Sequence, residues 1–278
     1  MYFNTKIEVS YFDLNTICQN PTIIINAKRG SGKSTMVREL MNYFNSSLHY
    51  PVCVLCSYSE KVDPYYSFFL PPSYIYEDCE RMISKVLKRQ VEMKNLNNQR
   101  IKEGKKQIDD RILVVMDDCI SDSKIWRKSK DLGEIFYNGR HYNITLIIVS
   151  QDIVAIPPAF RSNIDIVMLF NTSIQEEIKK LYQHYAGEFS SVQEFKDTLS
   201  TVCQDYGILI ILKRGFKSSA LSDKIFRYRA DINLKPKTFG CYKYIKLNKK
   251  YYNSEWLNDY NNYIYGNGIK SKTNVKLV

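Results

Sequence analysis

Histidine and tryptophan are scarce in this chain, with three and two among 278 residues. His49, His141 and His184 stand in no triad spacing, so all three are expected to be structural. No apolar run approaches the roughly 18 residues of a membrane span. The opening "MYFNTKIEVSYFDLN" lacks a basic segment followed by an apolar block, so no secretory signal is expected there. The seven cysteines are odd in number and scattered, which argues against a disulfide framework and for a reducing compartment. Cys53 and Cys56 form a lone C-x-x-C inside the apolar run "PVCVLCSYS". With no second cysteine pair at zinc-like spacing, core thiols are expected there rather than a metal or redox centre.

Acidic residues are in deficit, 29 against 40 Lys and Arg, giving a formal charge of +11 and a pI near 9.1. A basic surface suits a polyanionic partner, because side chains that neutralise phosphates release condensed counterions. The alternative, that the charge only solubilises the surface, stays open on composition alone. The 44% hydrophobic fraction and this length fit one large globular domain, or one domain with a small appendage.

Short β-branched runs punctuate the chain: "TIIIN" at Thr22 to Asn26, "VCVLCS" at Val52 to Ser57, "RILVVMDD" at Arg111 to Asp118, "ITLIIVSQ" at Ile144 to Gln151 and "IDIVMLF" at Ile164 to Phe170. Continuous apolar runs of this length are strands buried on both faces. "SYIY" near Tyr74, after Pro71-Pro72, is a further candidate. Helical spacing is predicted from Lys33 to Phe44, from Asp78 to about Gln107, and near Ile174 to Tyr185 and Val192 to Leu199. The later part of the long helix, "KNLNNQRIKEGKKQ", loses its apolar face and reads as a frayed end or a basic loop. "GILIIL" and "IFRYRA" are spaced as an antiparallel hairpin. Alternating strands and helices predict an α/β fold with a mostly parallel central sheet flanked by helices. Residues 1–230 form the expected main domain. Residues 231–278 read as a basic extension rich in Tyr and Lys, without strong periodicity.

The segment "NAKRGSGKST" follows "TIIIN" directly. It matches the phosphate-loop pattern G-x-x-x-x-G-K-[ST], with Ala27 at the first glycine, then Lys28, Arg29, Gly30, Ser31, Gly32, Lys33, Ser34 and Thr35. A buried strand, a tight turn and a helix start are the context that this chemistry needs. Amide N–H groups from Gly30 to Ser34 would cradle a β-phosphate at the positive helix end. Lys33 would reach the β- and γ-phosphates of ATP, and Ser34 would bind Mg²⁺. Arg29 is a further candidate for the γ-phosphate, or it faces solvent or DNA. Ala27 is acceptable wherever the backbone does not need a positive φ.

Asp117 and Asp118 end an apolar strand, the arrangement by which an acid is delivered to a nucleotide crevice. Asp117 is the expected metal-orienting acid, and Asp118 the general base for an attacking water. The doublet belongs to ATPases in which an additional strand separates the phosphate-loop strand from the acid strand. Ser150-Gln151 ends the next strand, and the Gln151 amide is suited to sensing the γ-phosphate or holding the lytic water. Three runs offer basic surface for phosphate contact without base reading: Lys102 to Lys106, Lys213-Arg214 and Lys246 to Tyr252. Each of these alone is also an ordinary solvated face.

Taken together, "NAKRGSGKST", "ILVVMDD", "NGRHYNITLIIVSQ" and "IPPAFRSNIDIVMLF" resemble the genome-packaging ATPases of large DNA viruses and their virophage relatives, in the FtsK–HerA branch of P-loop motors. The resemblance runs from about Thr22 to Ala230. It implies an additional-strand, RecA-like P-loop NTPase that hydrolyses ATP with Mg²⁺ and drives double-stranded DNA into a preformed capsid. It also implies a ring homo-oligomer, pentamer or hexamer, a capsid or vertex protein as partner, and a place at a viral assembly site in the host-cell cytoplasm or with the virion. By motif, Lys33 and Ser34 bind phosphate and metal, Asp117 binds the metal, Asp118 activates water and Gln151 senses the γ-phosphate. Arg140, in "NGRH", falls where an arginine finger reaching a neighbour's nucleotide is expected, with Arg161 as the other candidate. Asp118 stands where many motors of this branch carry Glu. Two other readings stay open: a P-loop nucleoside or nucleotide kinase, and a nucleotide-gated scaffold for nucleic acid or capsid protein with negligible turnover.

Overall fold

A computed structural model describes residues 7–119, 129–214 and 220–253. The strands are β1 (Ser10–Tyr11), β2 (Thr22–Asn26), β3 (Val52–Ser57), β4 (Ile75–Tyr76), β5 (Ile112–Asp117), β6 (Ile144–Ser150), β7 (Ile166–Leu169), β8 (Ile208–Leu212) and β9 (Ile225–Tyr228). They form one sheet in the order β1-β9-β8-β7-β2-β6-β5-β3-β4. All pairings are parallel except β7 with β8 and β8 with β9. The hairpin expected from "GILIIL" and "IFRYRA" is the β8–β9 pair. Strand β6 lies between β2 and β5, so the additional strand expected from the acid doublet is present.

The apolar runs are continuous because each strand feeds two cores. Ile24, Val54, Val114 and Ile148 point to one face, and Ile23, Ile25, Leu55, Val115 and Ile147 to the other. The second face is covered by α1 (Lys33–Asn42) through Met36, Val37, Leu40 and Met41. The first is covered by α2 (Cys79–Lys102), α3 (Lys130–Asn138), α5 (Gln175–Tyr185) and α6 (Val192–Val202), with the short α4 (Pro158–Arg161) between α3 and α5. Each buried aliphatic side chain contributes about 1.5–3 kcal/mol by leaving water, so this two-sided burial dominates the favourable side of folding.

Two segments depart from the expectation. The polar second half of α2 stays helical to Lys102 because polar groups, not apolar ones, dock it. Asn97 Nδ2 donates to Ile108 O at 2.9 Å, and Ile108 N donates back to Asn97 Oδ1 at 2.8 Å. Gln90 Nε2 donates to Asp110 O at 2.8 Å. In the C-terminal extension, α7 (Tyr242–Tyr251) forms with one buried anchor. The Tyr244 ring stacks on Tyr74 at 3.6 Å, and its hydroxyl donates to Cys53 O. Cys241 N donates to Pro51 O at 3.0 Å, so this stretch returns to the sheet near β3. Residues 254–278 of the extension lie outside the described residues. "SYIY" is a 3-10 turn followed by the two-residue β4.

Candidate nucleotide site

The site gathers where β2, β6 and β5 end. In parallel register Asn26 faces Ser150, and Asp117 faces Val149. The turn after β2 therefore lies beside both polar strand ends. Gly30 has φ +74° and Gly32 φ +95°, in the left-handed region where a side chain is strained. Ala27 is not among the positive-φ residues and is buried, so a methyl at the first glycine position costs this loop nothing. The Ser31 amide and hydroxyl close the loop on Lys28 O, at 3.3 and 2.7 Å. Gly32 caps α1, and Lys33 is the first helical residue. Ser34 and Thr35 follow in the first turn, while Arg29 is exposed and lines the cavity beside the loop.

Lys33 Nζ lies 3.3 Å from Asp117 Oδ1 and also contacts Asp118 Oδ2. One cation is thus held by two adjacent carboxylates at the mouth of the phosphate loop. Asp117 is 4% exposed. Burial pushes its carboxyl above the usual range, against the lowering effect of Lys33 and Tyr66. The desolvated Asp117 carboxylate and the hydroxyl of Ser34, in the first turn of α1, are both hard-oxygen donors of the kind that Mg²⁺ takes. Asp118 adopts φ +54°, its amide donating to Val149 O at 3.0 Å. Strain of this kind persists where surrounding structure fixes it.

A loop that sequence reasoning missed ties both motifs together. Glu60, 8% exposed, accepts from the amides of Tyr65, Tyr66 and Ser67 at 2.8–3.1 Å. The turn so fixed sends the Tyr66 hydroxyl to Asp117 Oδ2 at 2.8 Å and the Tyr65 hydroxyl to Ser34 O at 3.2 Å. "SEKVDPYYSFF" carries no motif; its only signal is an acid five residues ahead of two tyrosines.

Gln151 is exposed and lines a cleft of about 180 Å³ with Asn26, Asp152, Glu177 and Lys180. It follows β6, next to the turn after β2, so the structure brings it to the same edge as Lys33 and Asp117. Arg140 precedes β6 and sits at the opposite edge of the sheet. It is half-exposed, 3.8 Å from Asp165 Oδ1. Arg161 is committed within its own chain: Nε donates to Ile156 O at 2.8 Å, one terminal nitrogen to Val154 O at 2.7 Å, and the other meets His184 Nδ1 at 2.7 Å.

Cys53 and Cys56 do not pair, because three residues along a strand place them on opposite faces. Cys56 instead meets Cys79 and Cys119, the three sulfurs lying within 4.8 Å of one another in the core behind Asp117. The Cys119 thiol donates to Cys56 O and Asp117 O at 3.3 Å.

The basic runs differ in their freedom. Residues 102–106 are exposed at the end of α2. Lys213 pairs with Glu188 at 2.8 Å and Arg214 with Asp165 at 3.2 Å, so that pair is tied down. On α7, Lys243, Lys246, Lys249 and Lys250 are exposed, with Lys250 lying 5.0 Å from the Tyr251 ring centre. Among the described residues no helix is long and apolar enough to cross a membrane.

Residues 9–219 match the family described as Poxvirus A32 protein. Protein L437 of Acanthamoeba polyphaga mimivirus is 33% identical over 279 residues, covering 98% of this chain and 96% of that protein. Protein 075L of Invertebrate iridescent virus 6 is 30% identical over 246 residues, covering 88% and 90%. Among solved structures, the genome packaging NTPase B204 of Sulfolobus turreted icosahedral virus 2, in complex with AMPPCP, superposes with a TM-score of 0.55 at 14% identity, over 77% of this chain and 99% of that one. At that identity the likeness is one of fold.

Proposed function

The chain belongs to the Poxvirus A32 protein family, and from that premise we propose that it is a viral genome-packaging ATPase, a ring-forming motor that couples ATP hydrolysis to movement of double-stranded DNA. The observation that carries this reading is the single lysine, Lys33, held between Asp117 and Asp118 at the mouth of a glycine-rich turn. A nucleotide triphosphate supplies the negative charge that draws Lys33 off the carboxylates. That exchange frees Asp117 for a cation and Asp118 for a proton.

In this mechanism the loop amides and Lys33 hold the β- and γ-phosphates, while Tyr66 fixes the Asp117 carboxylate through its donated proton. Mg²⁺, when bound at Ser34 and Asp117, neutralises phosphate charge and orients the oxygens. Asp118 takes a proton from the attacking water as its oxygen bonds to the γ-phosphorus and the bond to ADP breaks. Gln151 orients that water and reports the γ-phosphate to strand β6. Arg140, on the far edge of the sheet and half-exposed, supplies positive charge in trans to the nucleotide of a neighbouring copy, which makes turnover depend on assembly. Arg161 braces its own loop. The exposed lysines of residues 102–106 and of α7 contact DNA phosphates without reading bases. The site of work is a viral assembly site in the host cell, with a capsid or vertex protein as docking partner.

The test is ATP turnover with and without long double-stranded DNA. Stimulation that Lys33→Ala and Asp118→Asn abolish is expected. A rate indifferent to DNA, accompanied by phosphorylation of a small acceptor, is the outcome of a kinase.

A further inference from the structure

A second cavity opens from the phosphate loop on the side away from Asp117. It measures about 450 Å³, and its wall includes Gly32, Thr35, Phe170, Tyr206, Ile208 and Ile232. Strand β7 lies on the other side of β2 from β6 and β5, so this space lies across the loop from the acids.

Tyr206 is 65% exposed. It has φ +62°, and Asp205 before it has φ +48°. Two successive non-glycine residues in the left-handed region are unusual, and for a bulky side chain that conformation is an outlier. The turn cannot easily relax at its next residue. A Cβ on Gly207 would lie 2.0 Å from Val202 O, so the chain is pressed against the end of α6. The consequence of this geometry is the placement of one ring: a Cβ on Gly32 would stand 3.6 Å from Tyr206 Cδ1. The ring edge therefore lies against the phosphate-loop glycine while most of the ring stays in water. Strained residues that surrounding structure holds in place cluster at ligand-binding sites.

The wall chemistry indicates the ligand. Away from the phosphate loop, the described lining is Phe170, Tyr206, Ile208, Arg229, Ala230 and Ile232, with no carboxylate or side-chain amide; the one polar side chain, Arg229, only donates, and adenine and guanine both offer it N7. We propose that Tyr206 is the platform on which the base of a bound nucleoside triphosphate stacks, and that the cavity takes that base by its ring face, accepting adenine and guanine alike. The inference rests on the nucleotide reading of the phosphate loop and adds the subsite for the base. Stacking on an aromatic ring tolerates any base, because every base has a π-face.

The experiment is calorimetric binding of AMPPCP, GMPPCP and inorganic tripolyphosphate to the full chain, with wild type, Tyr206→Ala, Tyr206→Phe and Tyr206→Gly, alongside a thermal melt of each without ligand. Tyr206→Ala is expected to weaken AMPPCP about tenfold and to leave tripolyphosphate within about twofold, since only the stack is removed. Tyr206→Phe is expected to bind AMPPCP as wild type does, and wild type to bind GMPPCP within about threefold of AMPPCP. Tyr206→Gly relieves the left-handed strain, so it is expected to melt higher while binding AMPPCP more weakly. Unchanged AMPPCP binding by Tyr206→Ala, an equal loss of tripolyphosphate, or a lower melting temperature for Tyr206→Gly would overturn the assignment. A wild-type chain that binds neither AMPPCP nor tripolyphosphate would overturn the nucleotide reading itself.

Discussion

The Tyr66 phenol donates a 2.8 Å hydrogen bond to Oδ2 of Asp117, while Lys33 lies 3.3 Å from the other oxygen of the same carboxylate. Burial and the neighbouring acid push the Tyr66 hydroxyl well above its ordinary range, so it remains a donor at any working pH. One oxygen of Asp117 is thus fixed by a neutral donor, and the other is left for a cation.

Tyr66→Phe keeps the buried ring and removes only that donor. Partners that orient a metal-binding carboxylate are worth about 10- to 100-fold in affinity or rate. Turnover at limiting Mg²⁺ is expected to fall by that factor, with much of it recovered at high Mg²⁺. Titrating Mg²⁺ against rate for both proteins checks this, and an unchanged Mg²⁺ dependence contradicts it.

The raised carboxyl of Asp117 has a consequence for stability. Its folded-state pKa exceeds the unfolded value near 3.8, so the folded chain holds this proton more tightly. Stability from this group is complete below that ordinary value and is lost as pH rises through the raised one. Asp117→Asn cannot ionise. Relative to wild type, it is expected to gain stability across that same window and hold the gain at neutral pH. Denaturant melts of the ligand-free proteins from pH 3 to pH 7 read the difference directly.

Lys33 counters the pair that its own removal would expose. Without it, Asp117 and Asp118 face each other with no cation between them. Asp118 is 37% exposed at its side chain, so solvent softens the repulsion. Lys33→Met is expected to destabilise the nucleotide-free chain by about 1–2 kcal/mol, below the usual loss for a fully buried pair. Urea denaturation measures it, and the same variant is expected to lose nucleotide binding.

The two arginine candidates separate by what they hold. Arg140→Ala leaves Asp165 its bonds from Thr22 N, at 2.9 Å, and from Arg214, at 3.2 Å. Folding is expected to change by less than about 1 kcal/mol, whereas hydrolysis by the assembled protein is expected to drop about a thousandfold. Arg161→Ala strips bonds from two loop carbonyls and is expected to cost about 2 kcal/mol of stability. Mixing Arg140→Ala subunits with Asp118→Asn subunits is expected to restore part of the rate, because each supplies what the other lacks.

Much of this architecture was legible from the chain. β2, β3, β5, β6 and β7 announce themselves because a strand buried on both faces must be apolar at every position. The phosphate loop is legible because Gly30 and Gly32 occupy positive φ, and the acid doublet because it interrupts an apolar run. Elements held by one contact or by polar ones were not. α7 is anchored by one buried ring, Tyr244, and by Asn248 accepting from Ser73 N, and the end of α2 by Asn97 and the Ile108 backbone, neither of which produces a hydrophobic period. Glu60 and Tyr66 reach the site through a turn whose course depends on three amides meeting one carboxylate, and no spacing rule encodes that. Tyr206 stands at the phosphate loop through the left-handed turn at Asp205 and Tyr206, which no residue type there announces.

The most direct test of the central claim is steady-state ATP hydrolysis, with and without long double-stranded DNA, at low salt and over protein concentrations that span assembly. The expected result is a rate per subunit that DNA raises and that climbs with protein concentration, absent in Lys33→Ala and Asp118→Asn. A rate per subunit that is the same at every concentration and unmoved by DNA would contradict the account of a ring motor.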